Sequence, residues 1–262
     1  MSLERDVVVA GRRLETVIHT PPSTAAEPDI VLLHEGLGSV ALWKSFPLRL
    51  AERSGRRIVA YSRYGYGRSD VLGERRDPAY IHHEGEAALP DFIAALGLRR
   101  PILFGHSDGA SIALVCAAAR PELVSALVLE APHVFVEDVT IASIAAAGRA
   151  YRETDLPRKL SRYHTDVDAT FWGWNDIWLD PAFRAWNIES CLAQIRCPVL
   201  VVQGDDDEYG THAQGAAIAR AIANTEIVRF AACAHSPHRD RERETLDATV
   251  NFLQRHRDEL RA

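Results

Sequence analysis

Short apolar runs, many of them β-branched, recur along the chain at positions 6–10, 14–19, 30–34, 57–61, 101–105, 126–130, 199–203 and 227–230. Between several of them lie longer stretches that read as helices, at 40–54, 80–96, 110–119, 213–223 and 241–257. Alternation of this kind predicts a mostly parallel sheet covered by helices on its faces. The first two runs are separated only by Gly11-Arg12-Arg13, which predicts a hairpin entering the sheet antiparallel.

Between 131 and 196 the strand pattern lapses and the chain turns helical and aromatic. The segment Phe171-Trp172-Gly173-Trp174-Asn175-Asp176-Ile177-Trp178, with Trp186, holds four of the five tryptophans. Aromatics at that density supply an apolar lining with a few polar handles, as a pocket for a small organic molecule requires, or else they form a local core of their own. The expected organisation is a core domain over 1–132 and 197–262, interrupted by a helical cap at 133–196.

A length of 262 residues with 47% hydrophobic content is enough for one large α/β domain. The net charge of −6 and the lack of a basic stripe argue against a nucleic-acid partner. The charged start Met1-Ser2-Leu3-Glu4-Arg5-Asp6 has no apolar signal core, and no later run approaches membrane-spanning length, so the expectation is a cytoplasmic protein, monomer or homodimer, off the membrane. Cys116, Cys191, Cys197 and Cys233 are scattered without a C-x-x-C pair, the pattern of free core thiols and not of a disulfide framework or a zinc site. No metal is expected.

Chemistry enters at Gly105-His106-Ser107-Asp108-Gly109, which follows the run at 101–105 and opens an alanine-rich helical stretch. A serine hydroxyl is a weak nucleophile at neutral pH. It must be raised on a tight turn where a base reaches it and backbone N–H groups face the developing oxyanion. Side chains at the two flanking glycines would collide where strand folds back on helix.

A base and an orienting carboxylate are then needed. After the run at 199–203 comes Gly204-Asp205-Asp206-Asp207-Glu208, and after 227–230 comes Cys233-Ala234-His235-Ser236-Pro237-His238. Glu130, at the end of the sixth run, is a remote alternative acid.

The order Ser, Asp, His, together with His34-Glu35-Gly36-Leu37-Gly38-Ser39 after the third run, the serine elbow and the Cys-Ala-His-Ser loop, resembles the α/β-hydrolase superfamily over nearly the whole chain. The resemblance implies an α/β-hydrolase fold: a mostly parallel sheet of eight strands flanked by helices, with a helical cap. It also implies Ser107 as nucleophile, His235 as base in preference to His238, and Asp207 as acid, because that acid falls three residues after the glycine ending its strand. His106 and His34 are expected to pack and hydrogen-bond, with His34 buttressing the loop that follows it.

The oxyanion hole is expected at the N–H of Asp108 and at Gly36 or Leu37. The family usually has His-Gly where this chain has His34-Glu35, so the Glu35 side chain either turns inward to backbone amides or faces the pocket and selects substrate. The Asp108 carboxylate is expected to cap its helix or to pair with Arg63 or Arg68, since an unpaired buried charge is costly. Glu35, His133, Trp172 and Trp174 are the expected substrate contacts.

The resemblance implies a serine hydrolase that cleaves a carboxylic ester or related acyl bond of a small molecule without cofactor. Hydrolysis of a carbon–carbon bond in a ring-fission product, cofactor-free peroxidation and a non-enzymatic ligand receptor are the alternatives on the same scaffold. A serine at the elbow argues against the dehalogenases and epoxide hydrolases that resemble it, which use aspartate there.

Overall fold

A computed structural model describes residues 1–22 and 28–261. Eight strands form one sheet: β1 (Ser2–Val9), β2 (Arg12–His19), β3 (Ile30–Leu33), β4 (Ile58–Tyr61), β5 (Ile102–His106), β6 (Ala126–Glu130), β7 (Val199–Gly204) and β8 (Thr225–Phe230). Their order is β1-β2-β4-β3-β5-β6-β7-β8. β2 runs antiparallel to both of its neighbours, and every other pairing is parallel. The expected hairpin is present, its turn made by Ala10 and Gly11, both at positive φ.

The central strands are apolar throughout because both faces of the sheet are covered. Alternate residues go to opposite cores. Val31, Leu33, Val59, Leu103, Leu127 and Val201 meet the helix Asp108–Ala119 and the helical stretch ending in Leu89–Ala95, whereas Ile30, Leu32, Ile58, Phe104, Val128 and Leu200 meet the helices Phe46–Ser54 and Glu242–Arg255.

Several elements depart from the sequence expectation. β1 begins at Ser2 and not at residue 6, because backbone pairing continues to the register Ser2↔His19 although the side chains at 2–6 lie exposed at the sheet edge. The expected helix at 40–54 is a 3₁₀ turn, Val40–Trp43, followed by Phe46–Ser54, broken where Lys44 takes φ 53°. The stretch at 80–96 carries a π-helical turn, Glu84–Ala88, just before Pro90, which has no N–H to continue the regular ladder.

From β6 to β7 the chain makes a helical excursion, with helices Asp138–Glu153, Leu156–Leu160, Val167–Leu179 and Glu189–Leu192. No helix among the described residues is long and apolar enough to cross a membrane.

The chain leaves β3 toward β4 on one side, while β5 lies on the other. This reversal opens a crevice at the carboxyl ends of β3 and β5, where ligands bind in open α/β sheets.

Candidate active site

Ser107 follows β5 directly and sits at φ 54°, ψ −117°, a conformation that costs a non-glycine residue about 1–3 kcal/mol. The surrounding backbone holds it there. Ser107 N–H donates to the Glu130 carbonyl at 2.9 Å, and the Ser107 carbonyl accepts from Ala110 and Ser111 at 2.9 and 3.1 Å. The turn closes only over glycine: a Cβ on Gly105 would lie 2.4 Å from the Gly109 carbonyl oxygen, and one on Gly109 would lie 2.1 Å from that of Leu33. The Ser107 side chain does not cap the helix it opens. It borders a cavity of about 160 Å³ instead.

His235 borders the same cavity, in the loop after β8. Its Nδ1 donates to Asp207 Oδ1 at 2.8 Å, and that oxygen also accepts the amides of Tyr209 and Gly210 at 2.9 and 3.2 Å. Burial by itself would raise the Asp207 carboxyl. The His235 hydrogen bond and charge, with the Tyr209 amide, overcome burial and lower it to about 2. Asp205 instead forms exposed ion pairs with Arg229 and His212, and Asp206 is exposed. No hydrogen bond joins Ser107 Oγ to His235 among the described residues.

Behind His235 stands a buried brace. His106 Nε2 donates to the His235 carbonyl at 2.7 Å, while its Nδ1 faces Glu35 Oε2 at 3.4 Å. Burial opposes charge on His106, but the Glu35 carboxylate, aided by Glu130, pushes the imidazole up to about 9. Burial likewise opposes charge on Glu35, and His106 reverses it, holding the carboxyl well below its usual range. Glu35 therefore does not turn to backbone amides. It pairs with His106 while still bordering the cavity.

The alternative acid and base have partners of their own: His238 Nδ1 bonds Glu130 Oε2 at 2.6 Å. His106, Glu130 and His238 bring ligand atoms within 4.8 Å of one another, the arrangement among the described residues that a metal ion would accept. Each histidine already spends a ring nitrogen on Glu130 or on the His235 carbonyl, which makes the group a brace for the His235 loop.

His34 holds the loop after β3, as expected. Its Nδ1 donates to the Glu35 carbonyl at 2.7 Å and its Nε2 accepts the Arg63 amide at 3.0 Å. An accepting Nε2 requires the neutral ring, and burial together with the Arg63 charge keeps its pKa well down.

Asp108 is buried beside Ser107, and Arg63 is its ion partner at 3.8 Å. Tyr80 donates to Asp108 Oδ2 at 3.0 Å and Trp178 Nε1 to Oδ1 at 3.2 Å, two partners that no local pattern announces. Arg68 instead lies exposed on the surface.

Gly36, Leu37, His133 and Trp174 border the cavity, joined by Trp178, Thr140, Ile144 and Tyr209. His133 is buried against His235, and burial first, then the His235 charge, lowers it to about 3, so this ring stays neutral. Trp172 is the exception among the expected contacts. It lies outside this cavity, packed edge-on against Tyr151 and Phe171 with the Arg152 guanidinium over its ring at 4.5 Å. Two positions along a helix turn a side chain by roughly 200°, so Trp172 and Trp174 face opposite ways.

Comparison with known proteins bears on the family and the fold. The family model described as "Alpha/beta hydrolase family" matches residues 30–248. Among curated proteins, the chain is 22% identical to a proline iminopeptidase of Lactobacillus helveticus, covering 92% of this chain and 95% of that one. It is 29% identical to a putative carbamate hydrolase of Variovorax paradoxus, over 72% and 77%. Among solved structures, proline iminopeptidase from Mycobacterium smegmatis superposes with a TM-score of 0.75 at 18% identity, over 97% and 98% of the two chains. The enol-lactonase of Burkholderia xenovorans gives 0.73 at 20%, over 95% and 100%. With most of its length matched by that model, and with the eight-stranded sheet that the model's fold requires, the chain belongs to the alpha/beta hydrolase family.

Proposed function

We propose that the protein is a serine hydrolase that cleaves a carboxylic ester or a closely related acyl bond in a small substrate, with 133–196 acting as a cap. The observation that carries this reading is the 2.8 Å bond from His235 Nδ1 to Asp207, at the edge of the cavity that Ser107 also borders. Because Nδ1–H is given to Asp207, Nε2 carries the lone pair and is the atom that can take the serine proton. Ser107 Oγ attacks the carbonyl carbon, its proton passes to His235 Nε2, and the carbonyl π pair moves onto oxygen. Backbone N–H groups of Asp108 and of Gly36 or Leu37 then hold that oxyanion, the first at the positive end of its helix. Collapse expels the leaving group with the proton from His235, and water releases the acyl group by the reverse sequence.

Relatives named for iminopeptidase, carbamate hydrolase and enol-lactonase activity support hydrolysis and leave the leaving group open. The small cavity, with Trp174, Trp178 and Tyr209 around it, favours a compact acyl portion with an apolar or aromatic part. The reaction as written draws on no metal or organic cofactor.

Ser107→Ala is expected to lower turnover of p-nitrophenyl esters by about 10⁴-fold or more, and a fluorophosphonate is expected to label Ser107. Turnover retained in a pure Ser107→Ala sample would falsify the nucleophile. Labelling without multiple turnover would favour a receptor, and turnover confined to vinylogous diketones would favour carbon–carbon hydrolysis.

A further inference from the structure

The loop after β3 has glycine at position 36, and the space a side chain would occupy there is already filled. A Cβ on Gly36 would lie 2.0 Å from Trp174 Nε1 and 2.3 Å from its Cδ1. Allowing a carbon–carbon bond of about 1.5 Å, the N–H edge of the indole is within about 3.5 Å of the Gly36 Cα. It therefore lies beside the very backbone that the hydrolase reading uses as an oxyanion donor.

That indole N–H is unspent. Tryptophan nitrogen donates and never accepts, and Trp174 Nε1 meets no acceptor among the described residues. Nor is the atom sealed off like the buried, unpartnered indole nitrogens of Trp43 and Trp186. The ring borders the cavity together with Ser107, Asp108 and Gly36. Trp178, the other tryptophan at the cavity, differs in that its N–H is committed to Asp108. An accessible donor with no protein partner at the cavity is free to bond an acceptor that enters there.

We propose that Trp174 is a catalytic residue: its indole N–H donates to the substrate carbonyl oxygen as that oxygen becomes an oxyanion, alongside the backbone amides of Asp108 and the Gly36 loop. The inference rests on the acyl-transfer reading above. The indole keeps its proton throughout; only the π pair arriving on oxygen strengthens the hydrogen bond. Glycine at 36 is then required because it makes room for the donor. The cap thereby supplies part of the reaction chemistry as well as a pocket wall.

The test replaces Trp174 by 3-benzothienylalanine, which keeps the bicyclic shape and puts sulfur where the N–H was, with Trp174→Phe as a second variant. Both are assayed on p-nitrophenyl esters and titrated with an alkyl boronic acid, whose adduct with Ser107 carries an oxygen at the oxyanion position. Loss of this one donor should lower kcat by about 10²-fold, leave KM within a few-fold, and weaken boronate inhibition in step with kcat/KM. An unchanged kcat in the benzothienyl protein overturns the inference and leaves the hydrolase reading standing. So does a loss confined to KM with boronate inhibition intact, which would make Trp174 a ground-state contact. A wild-type protein that neither turns over esters nor captures the boronate overturns both.

Discussion

Asp108 Oδ1 accepts the indole N–H of Trp178 at 3.2 Å, so the residue following Ser107 ties the helix Val167–Leu179 to the start of the helix Asp108–Ala119. The same carboxylate takes the Tyr80 hydroxyl and faces the Arg63 guanidinium. Three distant segments are thus joined at one buried anion. Truncating it leaves the buried Arg63 guanidinium with the His34 and Glu35 carbonyls and the Tyr66 ring but no counter-charge, and breaking such a pair costs about 3–5 kcal/mol. Asp108→Ala should lose stability on that scale in urea unfolding, and Asp108→Asn, which keeps an acceptor for Trp178 or Tyr80, should lose less. Equal losses in the two variants would show that packing, and not the polar contacts, holds the helix Val167–Leu179 in place.

Acid should act through Asp207. Its folded carboxyl is depressed to about 2 from an ordinary 3.8, so it binds its proton less readily folded than unfolded. Its contribution is complete above the unfolded value and is lost as pH falls from about 4 through 2, worth about 2 kcal/mol. Urea midpoints between pH 6 and 2.5 should fall less steeply for Asp207→Asn. At neutral pH that variant should also lose about 10⁴-fold in kcat, because the histidine tautomer is no longer fixed.

Alkali should act through His106, where the shift has the opposite sign. The imidazole is pushed up to about 9, so the stability of its pairing with Glu35 is complete below about 6.5 and is lost as pH rises through 9. Glu35→Gln should therefore destabilise the protein more at pH 6 than at pH 10. A penalty independent of pH would mean that His106 is neutral when folded.

The turn that raises Ser107 has no slack. In Gly105→Ala the new methyl group would meet the Gly109 carbonyl at 2.4 Å, backbone against backbone. We expect a loss of about 3 kcal/mol or more, roughly 10 °C in Tm, with activity abolished. Calorimetry with an ester assay on the same sample checks both.

Trp172 and Trp174 should behave differently although one residue separates them. Trp172→Ala removes a ring held by Arg152 outside the cavity, at a cost of about 1 kcal/mol. Its kcat/KM should stay within about threefold of wild type. A large kinetic loss would bring Trp172 back to the substrate.

Much of this protein is written in local pattern. Apolar runs bounded by turns set strands because burial on both faces leaves no polar position to spare, and β3 to β7 appear close to where periodicity predicts them. The elbow is legible because its two glycines answer a steric demand made within five residues. Edges are less legible: the polar half of β1 pairs through its backbone, which side-chain pattern does not report, and the stretch expected as one helix at 40–54 breaks at Lys44, where Pro47 in the first turn of the following helix is the local signal of a restart.

The sequence by itself therefore determined the sheet, the tight turn at Ser107 and the chain order of Ser107, Asp207 and His235, since each depends on neighbours along the chain. Only the tertiary structure decided which tryptophan faces the cavity, that Glu35 turns to His106, and that Asp108 is held by Tyr80, Trp178 and Arg63. Those outcomes depend on how far each helix is rotated as it packs and on which charges from remote segments are desolvated together, and neither quantity has a local signature.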